Sequence, residues 1–131
     1  MKIDHLAIWV DNLELMKNFY LTYFNTTCNE RYHNPVRKFT SYFISFNEGG
    51  ARIELMHQPD IDAVLSQQGR NKGLAHFAIT VGSRQEVNDL LERLRTDHFR
   101  ITGEPRVSGD GYYEAVFSDP EGNVIELLAD K

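Results

Sequence analysis

Ile3-Asp4-His5-Leu6-Ala7-Ile8-Trp9-Val10 is the first apolar run of the chain, and Leu74-Ala75-His76-Phe77-Ala78-Ile79-Thr80-Val81 restates it past the midpoint. From His5 to His76 the offset is 71 residues. Further on, Ile53-Glu54-Leu55 returns as Ile125-Glu126-Leu127, and from 54 to 126 the offset is 72. Two offsets agreeing within one residue over half the chain indicate a duplication. Duplicated strands need matching apolar residues. They have no structural need for a matching histidine and a matching glutamate, so these four residues are the chief clue to function.

The rest of the pattern fits two copies of one unit. Residues 3–10 alternate and are rich in branched side chains, which predicts a strand. Asp11 or Asn12 then caps a helix to about Phe24 with the stripe Met16, Phe19, Tyr20 and Tyr23. Strands are expected at 28–33, 39–47 and 51–57, with Gly49-Gly50 turning the second into the third. In the second copy the strand 74–81 leads into Ser83-Arg84-Gln85-Glu86, a capping-box pattern. The helix after it carries Val87, Leu90, Leu91 and Leu94, each 71 positions beyond a member of the first stripe. Three strands near 100–107, 112–118 and 123–129 complete it, the last turn being Asp119-Pro120-Glu121-Gly122-Asn123. Each copy is therefore strand-helix-strand-strand-strand, an α+β arrangement. Within a single 131-residue domain, module one covers about 1–58, a polar linker with a short helix near 62–67 covers about 59–73, and module two covers about 74–131.

Composition narrows the classes of function. A hydrophobic fraction of 41% and a charged fraction of 25% are those of an ordinary globular protein with a core. A net charge of −5 and the lack of any basic stripe argue against nucleic acid or an acidic membrane surface as partner. No apolar run approaches the roughly 20 residues of a membrane span. The chain starts almost directly on a strand pattern, so no signal peptide is expected. The single cysteine, Cys28, cannot pair within the chain, which suits a reducing cytoplasm. It reads as a half-buried thiol at the start of a strand.

Strand parity sorts the side chains into faces. Leu6, Ile8 and Val10 form one face of the first strand, leaving His5, Ala7 and Trp9 on the other. Ile53 and Leu55 are core, leaving Glu54 and Met56 opposite. Phe77, Ile79 and Val81 go under the second helix, leaving His76, Ala78 and Thr80. Ile125 and Leu127 are core, with Val124, Glu126 and Leu128 opposite. All four polar residues thus share the face that no helix covers, and that face is partly apolar. A carboxylate there is costly unless paired or metal-bound. Two imidazoles and two carboxylates form a mixed N/O donor set suited to Zn, Ni, Co, Mn or Fe, and they balance a dication. Trp9 and Met56 would supply apolar contact to a substrate. On the strand 112–118, Ala115 and Phe117 read as core, so Tyr112, Glu114 and Val116 would face the site. Tyr112 is placed to hydrogen-bond substrate and Glu114 to act as an outer acid. Arg31, Arg37, Lys38 and Arg106 read as surface charge before anion ligands. His57 has the wrong parity for the donor set, His33 sits at a turn, and His98 lies at a helix end.

The segments Asp4-His5-Leu6-Ala7-Ile8, Ile53-Glu54-Leu55, Leu74-Ala75-His76-Phe77-Ala78-Ile79 and Phe117-Ser118-Asp119-Pro120-Glu121-Gly122-Asn123-Val124-Ile125-Glu126-Leu127 resemble the vicinal oxygen chelate superfamily. That group holds glyoxalase I, extradiol dioxygenases, fosfomycin-resistance enzymes, methylmalonyl-CoA epimerase and bleomycin-binding proteins. The resemblance implies two βαβββ modules in a cupped, barrel-like mixed sheet with the helices outside. It implies His5, Glu54, His76 and Glu126 as ligands of one divalent ion, with Ni, Zn or Co ahead of Fe and Mn, and a homodimer. An acid at 54 as well as 126 resembles the small glyoxalase I-like proteins most. Trp9 stands where glyoxalase I has the arginine that holds glutathione, and Met56-His57-Gln58 stands where it has the following asparagine, so the likeness does not extend to the glutathione contacts. The implied activity is a lyase or isomerase acting on a small carbonyl or hemithioacetal through an enediolate. A ligand carboxylate, Glu126 ahead of Glu54, would leave the metal to act as base. The alternatives are an Fe(II) ring-cleaving dioxygenase, a metal-dependent thiol transferase acting on an antibiotic, and a non-catalytic bleomycin-type binding protein.

Overall fold

The computed structural model of the chain describes residues 1–61 and 72–131. The chain divides into two compact units, Met1–Val64 and Leu65–Lys131. The short helix expected near 62–67 lies outside the described residues.

The first unit runs β1 (His5–Trp9), α1 (Leu13–Tyr23), β2 (Thr26–Cys28), β3 (Tyr32–Asn34), β4 (Phe39–Phe46) and β5 (Arg52–His57). Its sheet has the order β1-β5-β4-β2, with β3 also on β4. β1 runs parallel to β5, and the remaining pairs are antiparallel. The Asn12 side chain caps α1 by accepting from Leu15 N–H. Met16, Phe19 and Tyr20 of α1 lie buried with Ile44, Ile53 and Leu55 of the sheet. The single strand expected at 28–33 is instead two short ones. Asn29 breaks it: its side-chain oxygen accepts the Phe43 N–H at 2.7 Å and so stands in for a backbone carbonyl. Cys28 accordingly ends a strand rather than starting one, and it is half-buried.

The second unit runs β6 (Phe77–Gly82), α2 (Arg84–Thr96), β7 (Ile101–Val107), β8 (Tyr113–Ser118) and β9 (Val124–Ala129), with sheet order β6-β9-β8-β7. β6 is parallel to β9, matching β1 and β5. The capping box forms in full, since Ser83 accepts from Glu86 N–H and the Glu86 carboxylate accepts from Ser83 N–H. Val87, Leu91 and Leu94 of α2 are buried with Ala115, Phe117, Ile125 and Leu127. In the last turn Asp119 is buried, and one of its oxygens accepts from the Glu121 and Asn123 amides while Gly122 takes φ +88.

The α+β class and the strand-helix-strands order of each module are as expected. Each sheet is open, and neither closes into a barrel.

Candidate metal centre

Each unit builds the same pair from the same register. On β1 and β5, Ala7 stands directly beside Glu54, and His5 lies two residues before Ala7. On β6 and β9, Ala78 stands beside Glu126, and His76 lies two residues before Ala78. Residues two apart share a face, so histidine and glutamate meet diagonally across an alanine that leaves room between them. The glutamates are aimed by their neighbours. Ile53 and Leu55, like Ile125 and Leu127, are buried on the helix side, which forces Glu54 and Glu126 to the other. The Glu54 side chain is 15% exposed and that of Glu126 22%. One expectation shifts slightly: β6 starts at Phe77, so His76 immediately precedes its strand.

His5 Nε2 lies 3.5 Å from Glu54 Oε2, and His76 Nε2 lies 3.3 Å from Glu126 Oε2. Both separations exceed the ~2.7–2.9 Å of a charge-assisted hydrogen bond. They suit two donors on one ion. Bonds of about 2.1 Å from one divalent ion would reach both donors at such separations. The chemistry of the donors agrees with this, since an imidazole nitrogen and a carboxylate oxygen are what a borderline divalent ion takes. Among the described residues no group of three or more His, Cys, Asp or Glu is arranged to hold a metal. Each unit therefore brings one histidine and one glutamate together.

His5 has a second polar contact. Its Nδ1 lies 2.9 Å from Asp4 Oδ2, and Arg52 Nη2 donates to the same oxygen at 2.6 Å. The hydrogen bond from His5, followed by Arg52, holds the Asp4 carboxyl down at about 2. The Phe43 ring meets His5 edge-on at 5.2 Å. Asp4, Arg52 and Phe43 are additions to the candidate residues read from sequence. Arg52 carries a signal, since it is two residues before Glu54 and shares its parity. Asp4 does not, because it precedes the strand and escapes the alternation.

The substrate-lining candidates fall as follows. Trp9, Met56, Ser41 and Tyr32 form one row across the first sheet, on the Glu54 face. Trp9 and Tyr32 are exposed, and each sets its ring against Phe39 at 6.1 Å. In the second unit Glu114 pairs with Leu128, and Val116 with Glu126, which places Glu114 on the Glu126 face as parity required. Glu114 is 7% exposed and accepts from Arg106 through both Nε and Nη2, at 3.2 and 3.0 Å. Arg106 is thus an exposed strand residue whose charge is paired with a buried acid. Tyr112 precedes β8, with Lys131 Nζ 4.2 Å above its ring. His57 turns away from Glu54, its Nδ1 lying 2.9 Å from the Val10 carbonyl. His98 follows α2 with φ +66, and His33 lies exposed on β3.

The family model of the Glyoxalase/Bleomycin resistance protein/Dioxygenase superfamily matches residues 2–127. The chain belongs to that superfamily. Glyoxalase I from Zea mays is 25% identical, with a TM-score of 0.79 over 99% of this chain and 46% of that one. A glyoxalase family protein from Enterococcus faecalis is 25% identical, with a TM-score of 0.77 over 97% of this chain and 96% of that one. Among curated proteins, catechol-2,3-dioxygenase of Bacillus subtilis is 28% identical over 98% of this chain. The chain spans 41% of the length of that relative. The superfamily includes glyoxalase I enzymes and dioxygenases. Among the described residues no helix is long and apolar enough to cross a membrane.

Proposed function

We propose that this superfamily member is a divalent-metal-dependent lyase or isomerase of the glyoxalase type, acting on a small carbonyl or hemithioacetal. His5, Glu54, His76 and Glu126 would together complete one ligand shell, within a chain or between two chains of a homodimer. The observation that supports this most is the repeated His–Glu pair, at 3.5 and 3.3 Å in the same register of two sheets. Two donors make only half a shell, and structural zinc sites take four. Ni, Zn or Co suits the donors best, with Fe or Mn next. A cytoplasmic setting suits the lone thiol of Cys28.

When bound, a divalent cation acts as a Lewis acid on a substrate carbonyl and lowers the cost of ionising the adjacent C–H. The protein's own groups do the rest. Glu126, the more exposed of the two glutamates, takes that proton on a carboxylate oxygen and returns it to the neighbouring carbon. Glu54 is the alternative base. His5 and His76 act as neutral donors. Trp9 and Met56 exclude water from the apolar side of the substrate, and Tyr112 donates a hydrogen bond to it. Glu114 holds Arg106 ready for an oxygen of the substrate.

The test is elemental analysis of the purified protein together with a glyoxalase assay over several thiols. Bound Ni, Co or Zn with turnover supports the reading. Likeness to catechol-2,3-dioxygenase favours a second one, an Fe(II) ring-cleaving oxygenase. That chemistry needs two neighbouring open positions for O₂ and substrate, which four protein ligands restrict. Iron with O₂ consumption on a catechol would establish the second reading over the first.

A further inference from the structure

We propose that Asp4 and Arg52 are positioning residues that fix the ring of His5 in one tautomer and one orientation, and that among the described residues His76 has no equivalent brace. The inference rests on the ligand reading above, but its main test does not require metal.

The chemistry of the contacts is directional. A carboxylate at neutral pH only accepts hydrogen bonds, so Asp4 Oδ2 at 2.9 Å places the ring proton on His5 Nδ1. In a neutral imidazole this leaves the lone pair on Nε2, the atom that faces Glu54. Asp4 is itself held twice by Arg52. The guanidinium donates to Oδ2 at 2.6 Å, and the Arg52 backbone N–H donates to the Asp4 carbonyl at 2.9 Å. Arg52 in turn lies over the Phe43 ring, with Cζ 4.3 Å from the centroid, and that same ring meets His5 edge-on. Asp4, Arg52 and Phe43 thus close a loop of contacts with the His5 imidazole.

The duplication supplies an internal comparison. Ala75 precedes His76 where Asp4 precedes His5. Val124 lies two before Glu126 where Arg52 lies two before Glu54. Val116 stands opposite Glu126 where Phe43 stands opposite Glu54. Each brace position in the second unit carries an apolar residue with no side-chain donor or acceptor. The brace is not needed to fold a module, since the second unit forms its parallel strand pair without it. Nor does its exposure suit a stabilising role: the Asp4 side chain is 62% exposed and that of Arg52 40%, and ion pairs so placed contribute little to stability. Partners behind a metal-binding histidine act instead on its tautomer and basicity.

The experiment compares wild type, Asp4→Ala and Arg52→Met as full chains. Nitrogen NMR of the metal-free protein reads which His5 ring nitrogen carries the proton. Zn²⁺ and Ni²⁺ affinities follow from competition with a chromophoric chelator, and thermal midpoints without metal control for folding. Wild-type His5 should carry its proton on Nδ1. Asp4→Ala should lose that preference, leave the midpoint nearly unchanged and weaken metal binding about 10- to 100-fold. Arg52→Met should fall between the two. A His5 tautomer that Asp4→Ala does not alter overturns the proposal, whatever happens to affinity. A wild-type chain that takes up neither ion counts against the proposed function, while the tautomer measurement still decides the brace.

Discussion

Ala7 and Ala78 matter for what they lack. Each stands beside a glutamate and between it and the histidine two residues earlier. Any side chain longer than a methyl group would enter the space that the two donors share. Both alanines are exposed, so enlarging them does not overpack a core. Ala78→Leu is therefore expected to weaken metal binding by roughly tenfold or more, on the scale of other losses around a metal shell. Chelator competition measures this, and the thermal midpoint of the metal-free protein should stay put. The glutamates should behave differently. Glu126→Gln at matched metal occupancy should lower kcat by about 10²–10⁴, the usual worth of a general base, and Glu54→Gln by less. Full turnover in both variants would end the carboxylate-base reading. The facing of His5, Glu54 and Glu126 was legible in the sequence because alternation along a strand is a strict geometric rule, whereas His76, just before β6, was read by its match to the first copy. The hold of Asp4 and Arg52 on His5 was not, since it depends on which strands are neighbours and on a residue just before a strand begins.

Elements were legible where two signals coincided. The capping pattern and the apolar stripe together located α2, and the structure bears out both. Ser83→Ala removes the side chain that accepts the Glu86 N–H and should cost about 1 kcal/mol by chemical denaturation. Glu86 also gives that cap a pH dependence. Its carboxyl is held below the ordinary 4.5, first by the backbone hydrogen bond from Ser83 and then by the Ser83 hydroxyl. A lowered acid contributes stability above its unfolded value and loses it as pH falls through the folded one. The advantage of wild type over Glu86→Ala should therefore be present at neutral pH and vanish in acid. A second element-level expectation concerns Gly103 on β7. A Cβ there would come 2.9 Å from Val116 Cγ2, so Gly103→Ala should destabilise by about 1–3 kcal/mol. The strand at 28–33 was misread as continuous because alternation does not register a side chain that takes over a backbone role, as Asn29 does.

At the scale of the molecule the question is whether two half-sites serve one ion. If they do, the protein takes up one equivalent of metal per chain, and His5→Ala and His76→Ala each remove it. Two independent sites would take up two equivalents, and each variant would retain one. Saturating metal should also raise the thermal midpoint. Ligand at 100 times its Kd adds about 2.7 kcal/mol, which for a chain of this size is a rise of several degrees. Both histidine variants should lose that rise. The duplicated architecture was legible because the stripes of both helices and the two Ile-Glu-Leu triplets recur at nearly one spacing. The openness of each sheet was not, since closure depends on curvature and pairing that alternation does not encode.

Each catalytic carboxylate proposed here sits between two residues that folding itself keeps in place. Ile53 and Leu55, and likewise Ile125 and Leu127, cannot leave the interior without a large penalty. Slipping either strand by one residue would turn the acid inward and two aliphatic chains outward. Selection for a stable protein thus maintains the direction of the acid without any selection on chemistry. Lineages built on such a plan are free to alter the surrounding shelf and the turns, and so change what is bound, while inheriting a donor pair that stays aimed.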